Sequence, residues 1–327
     1  GGAASITPMA KFDENTLRGG ASVSMQLARG DYSLAAAGTV TLRDGEKIYA
    51  FGHPFLNLGS SDLPMSESHV VVVVPNLNNS FKLSVPDAMV GTMTQDRSTG
   101  VFGKLGQAPK MIPVKLNLQT SRGQSETLNF EVVKDDFLTP LLLNITIYNT
   151  LIANERGIGD ATIELKGEIK LKNNESVKIE RRLTGAQAAL LSAGSVAVPA
   201  NALLRSRFSE MEISEINLNM TSNDGSKTAT LERAAIDKSE VRPGEQFEVQ
   251  AFVRADSGRI FVQKIPVKIP ADTPAGTLLV NVADGNMAQQ VSAAQQFTPK
   301  TLGELVKTMN SIKKDDRLYV QLYRVTN

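Results

Sequence analysis

Two histidines, His53 and His69, are the only imidazoles in the 327 residues. They are the first place to look for proton transfer, because imidazole titrates near neutral pH without help from its surroundings. His53 closes the stretch Gly38 to Pro54, GTVTLRDGEKIYAFGHP. Thr39 to Leu42 are β-formers, Asp44-Gly45 is a strong hairpin signal, and Lys47 to Phe51 makes the return strand. Gly52 lets the backbone turn and Pro54 fixes φ, so His53 stands in a defined pose at a strand end. A general base needs such a pose. An ordinary structural turn uses the same residues, and on residue types alone both readings stay open.

A serine hydrolase would need a nucleophile beside that base. Ser60, Ser61, Ser66 and Ser68 follow His53, but none has the glycine flanks that expose a hydroxyl and aim backbone N–H groups at an oxyanion. No GxSxG is present. A metal centre is poorly supported: neither histidine has a second one two to four positions away, and Asp62 and Glu67 read as loop residues. Asp135-Asp136 and Asp315-Asp316 read as solvated ends of elements rather than as a glycosidase pair. Gly91 to Gly106, GTMTQDRSTGVFGKLG, carries Asp96 and Arg97 but lacks the order of a phosphate-binding loop. Arg29-Gly30-Asp31 is explained by a turn between strands without invoking a receptor.

The elements that must hold these residues are mostly strands. Hydrophobic residues at 41% and charged residues at 21% describe a globular chain long enough for two or three domains. With 35 basic and 34 acidic side chains, no global field draws in nucleic acid, and no local basic cluster with aromatics is visible. Cysteine is absent, which excludes disulfides, thiolate zinc sites and a cysteine nucleophile. No cofactor is expected. No run reaches the roughly 18 apolar residues of a membrane helix; His69 to Pro75, HVVVVVP, is strand-sized.

Alternation marks further strands at Ala21 to Leu27, Phe81 to Val85, Met111 to Leu118 and Thr127 to Val133. The chain turns at Asn76 to Asn79 and at Ser121 to Gln124. Leu138 to Ile152 suits a helix capped at Thr139, although its β-branched residues would also suit a strand. Ala161 to Ile169 and Glu175 to Arg182 form a hairpin. Ala186 to Phe208 is alanine-rich and reads as two short helices broken near Val198-Pro199, linking or packing two halves.

Beyond it, Met211 to Met220, Ala229 to Ala235, Gln246 to Arg254, Phe261 to Ile269 and Gly276 to Ala283 alternate at regular spacing, as in an immunoglobulin-like β-sandwich. Thr301 to Ile312 has a capping box and a helical apolar stripe, and Leu318 to Val325 is a last strand. The expected fold is mainly β. Residues 1–183 form an antiparallel, barrel-like domain carrying His53, residues 184–210 a helical linker, and residues 211–327 a sandwich with a terminal helix and strand.

Read together, GDYSLAAAGTVTLRDGEKIYAFGHPFLNLG, SFKL at Ser80 to Leu83 and QDRSTGVFGKLGQAPKMIPV from Gln95 to Val114 resemble the stage IV sporulation protein B (SpoIVB) serine peptidase family, large exported type. The likeness runs from about Gly20 to Arg182. It implies a serine endopeptidase in which His53 is the general base and the nucleophile belongs to a GMSGSP motif. That motif does not occur here. In the large exported relatives it often precedes the GHP segment, so the resemblance implies a serine supplied from upstream of Gly1. It also implies export to the periplasm or cell surface and a peptide or protein substrate.

Two functions follow. The chain is the histidine-bearing fragment of such a peptidase, inactive alone and completed by a missing N-terminal segment of the same protein. Alternatively it is a non-catalytic envelope module that binds a peptide or protein partner through an exposed strand edge.

Overall fold

The computed structural model describes residues 6–74, 81–154, 160–293 and 298–324. The turn expected at Asn76 to Asn79 lies outside them. Strands make up 51% of the described residues and helices 17%, so the fold is mainly β.

The alternating N-terminal stretches become β1 (Ser22–Gly30), β2 (Leu34–Asp44), β3 (Lys47–Ala50), β4 (Gly59–Val74), β5 (Phe81–Arg97) and β6 (Gly100–Leu105). They hydrogen-bond in the order β1-β2-β3-β6-β5-β4, all antiparallel. The ring closes where β4 returns to β1 through Val23↔Glu67, Ser24↔Ser66 and Met25↔Met65. This closure is short beside the β4–β5 ladder, so the barrel-like ring is unevenly closed. Val23, Met25, Ile48, Leu63, Met65 and Met93 are fully buried within it, and their removal from water is its main support.

β1 also leads out of the ring. Its last residues, Ala28 to Gly30, pair with β8 (Ser125–Val133), which pairs in turn with β7 (Met111–Thr120). The sheet continues through β11 (Ile213–Asp224) to β9 (Ala161–Leu171) and β10 (Ser176–Gly185), giving eleven strands. The stretch Met211 to Met220 is therefore not the first strand of a separate sandwich. β11 lies between β7, to which it runs parallel, and β9, to which it runs antiparallel. Its buried Ile216, Leu218 and Met220 belong to the main core. Alternation shows that a strand has one apolar face but not which sheet receives it.

Two helices cover this part of the sheet. α1 (Leu138–Asn154) resolves the helix-or-strand ambiguity. Its Thr146 and Thr150 hydroxyls donate back to the carbonyls of Leu142 and Thr146, which satisfies β-branched residues inside a helix. The cap is Asp135 rather than Thr139: its carboxylate accepts the N–H groups of Phe137 and Leu138 at 2.9 and 2.7 Å. Thr139 is buried and donates to the Val133 carbonyl.

α2 (Ala188–Arg205) is one helix rather than two, with Pro199 inside it. A proline removes a single intrahelical bond, and the buried row Ala189, Ala193, Val196, Ala200 and Leu203 packs on both sides of that point. It lies against α1, β9 and β10 as part of the main core. By length and composition α2 could cross a membrane, and half of it is buried inside the protein.

Beyond β11, β12 (Ala229–Ile236), β13 (Gln246–Ala255) and β14 (Ile260–Lys268) form an antiparallel sheet. β15 (Leu278–Asp284) and β16 (Leu318–Arg324) form a pair. Phe247, Val249 and Ile269 make a second, smaller core against Val280, Val282, Val320 and Leu322. Between β15 and β16 lie α3 (Gly285–Ala293), which the alternation reading passed over, and α4 (Leu302–Asn310). α4 starts as expected, with the Thr301 side chain accepting the Glu304 N–H at 3.2 Å.

Candidate functional site

The hairpin β2–β3 forms with Asp44 opposite Lys47, and its exit carries His53 to the surface. Phe51 and Gly52 both take left-handed backbone angles, φ 74° and 72°. Glycine adopts this readily, whereas phenylalanine is strained there. Packing holds Phe51 in place. Its ring lies over Gly38 of β2, where an added methyl group would come within 2.3 Å of ring carbons. On another side the ring meets the His53 imidazole at a centroid distance of 5.7 Å.

His53 is exposed, and its Nδ1 lies 2.8 Å from the Pro54 carbonyl oxygen. A carbonyl only accepts, so Nδ1 carries the proton in this contact. In the neutral ring Nε2 is then the basic nitrogen, which is the form a general base requires.

The segment after Pro54 is fastened from below. Asp96 near the end of β5 is completely buried. Its Oδ1 accepts the Phe55 N–H at 2.8 Å, and its Oδ2 accepts the N–H groups of Leu56 and Leu58 at 2.8 and 3.0 Å. A buried carboxylate is tolerated only when such donors replace water. Asp96 was visible in the sequence only as part of a glycine-rich stretch. That stretch is the β5–β6 hairpin and not a strand-to-helix turn of the phosphate-loop type.

Three of the neighbouring serines serve the sheet. The Ser61 hydroxyl donates to the Met93 carbonyl, the Ser66 hydroxyl to Gln26 Oε1, and Ser68 shares a 2.8 Å bond with Ser22. Among the described residues no serine hydroxyl and no carboxylate is hydrogen-bonded to His53. His69 is occupied elsewhere: on the β4–β5 arm its Nδ1 lies 2.9 Å from Asp87 Oδ1. No three potential metal ligands among the described residues converge on one point.

The remaining sequence candidates have structural partners. Arg29 is buried, with its guanidinium 3.3 Å from Glu131, and Asp31 accepts the Asn129 N–H, so Arg29-Gly30-Asp31 is not a displayed loop. Asp135 caps α1. Asp315 pairs with Arg181 rather than with solvent. The arrangement around His53 is thus a fixed, exposed imidazole whose Nε2 has no hydrogen-bond partner among the described residues. The chain matches no family model, and no curated protein or solved structure significantly matches it.

Proposed function

We propose that this chain is the histidine-bearing part of a SpoIVB-like exported serine peptidase. Its nucleophile comes from a glycine-flanked serine segment N-terminal to Gly1, and the chain alone is inactive. In the assembled site His53 Nε2 takes the proton from the serine Oγ as that oxygen attacks the scissile carbonyl. It then delivers the proton to the leaving amine. The six-stranded ring is the peptidase-family barrel in this reading, and the two small β-sheets around Phe247 are an immunoglobulin-like sandwich. The observation that carries the proposal is the exposed imidazole with Nδ1 on the Pro54 carbonyl. A fluorophosphonate tests it: the protein extended upstream becomes labelled at serine, and this chain alone does not. Labelling of one of the chain's own serines overturns the division of labour.

A second reading rests on a different observation. Among the described residues the β4 backbone pairs with β1 at Val23 to Met25, and farther along β4 Val70, Val71, Val72 and Val73 are all exposed on the β4–β5 arm. A free edge beside apolar side chains is suited to adding an extended peptide as a further strand. In that case the protein is an envelope binding module with a structural His53. Val71→Lys then abolishes partner capture while His53→Ala leaves it intact.

A further inference from the structure

We propose that Asp96 is the positioning residue of the His53 site and acts on the imidazole through a single peptide group. The proposal deepens the general-base reading and rests on it. The Pro54 carbonyl that accepts from His53 Nδ1 and the Phe55 N–H that donates to Asp96 Oδ1 are opposite ends of one peptide plane. In a trans peptide these two groups point in opposite directions, and no cis peptide bond occurs among the described residues. Fixing the N–H on a buried carboxylate therefore aims the C=O outward at the imidazole.

The second carboxylate oxygen prevents that plane from rotating. Oδ2 holds Leu56 and Leu58, so the loop is pinned at three amides within four residues. Hydrogen bonds in series polarise one another, and a negative charge at the far end strengthens the carbonyl as an acceptor. Asp96 thereby favours the Nδ1–H tautomer and supports the charge that Nε2 would gain on accepting a proton. An acid that touches the imidazole directly serves the same purpose in a Ser-His-Asp triad; here one peptide unit intervenes.

Asparagine has nearly the same shape but turns an NH2 group toward amides that also donate. The Asp96→Asn variant should therefore release the loop while keeping its volume. The test uses this chain with 15N-labelled histidine. In the native protein the neutral His53 is expected as the Nδ1–H tautomer, and the amides of Phe55, Leu56 and Leu58 are expected to be protected from hydrogen exchange. In folded Asp96→Asn, Nδ1–H becomes the minor form, as in free histidine, and that protection is lost.

A native Nε2–H tautomer, unprotected native amides, or a folded Asp96→Asn that keeps Nδ1–H would each overturn the proposal. If Asp96→Asn does not fold, the native tautomer and amide protection decide the matter alone. Neither readout needs a nucleophile. A held imidazole in a protein that no fluorophosphonate labels, even when extended upstream, would refute the peptidase reading and leave this one standing.

Discussion

Asp315 grips Arg181 with both oxygens, Oδ2 to Nε at 2.8 Å and Oδ1 to Nη2 at 3.1 Å. Its Oδ2 also accepts the Arg182 backbone N–H at 3.0 Å. The segment between α4 and β16 is thereby tied to β10 of the large sheet. Two-pronged guanidinium–carboxylate pairs are the stronger ion pairs, but Arg181 is about one-third exposed, and solvent weakens this one. Asp315→Ala should lower stability by about 1 kcal/mol and raise amide exchange in α4 and β16 more than in β1 to β6. Uniform exchange changes would show that the pair does not anchor this segment.

Gly38 leaves the space that Phe51 fills. Gly38→Ala would force the Phe51 ring off β2, costing roughly 1–3 kcal/mol as an overpacked contact. Because that ring also touches His53, the histidine ring resonances should shift in the variant while those of His69 stay in place. A shift of both, or of neither, would contradict the packing role assigned to Phe51.

Acid should destabilise the protein through its paired carboxylates. Hydrogen bonds from Lys178 to Glu168, Lys314 to Glu180, Lys172 to Glu212 and Lys170 to Glu215 hold these four glutamates below their ordinary 4.5. A group whose pKa is lower when folded adds stability above its unfolded value, and that stability is lost as pH falls through the folded one. Glu131 has the opposite sign. Burial raises its pKa and the nearby Arg29 only partly offsets this, so its ionisation costs stability as pH rises from 4.5. The four outnumber the one, and the urea midpoint should fall between about pH 5 and pH 3. Glu131→Gln should remove the stability that the native protein gains as pH falls toward 4.5 and leave the fall below it; an unchanged profile above 4.5 would show that Glu131 is not perturbed.

The hairpin ending at His53 was legible in the sequence because its signals are local: β-formers, Asp-Gly at the turn, and Gly-His-Pro at the exit. The α4 cap at Thr301 was legible for the same reason. What escaped depends on contacts distant in sequence. β11 has the pattern of any half-buried strand, and only tertiary pairing inserts it between β7 and β9. Pro199 signals a helix break, but burial of the helix face on both sides of it outweighs one missing bond. Asp96 is separated from the loop it holds by 40 residues at Leu56, so nothing near it in sequence marks it as the anchor.

In the proposed peptidase His53 Nε2 moves a proton during peptide-bond hydrolysis. The most direct test is the hydrolysis rate of the protein extended upstream, measured for His53→Ala with its fold verified. A fall of roughly 100- to 10,000-fold, the contribution of a positioned general base, is the predicted result. An unchanged rate in the folded variant would contradict the account.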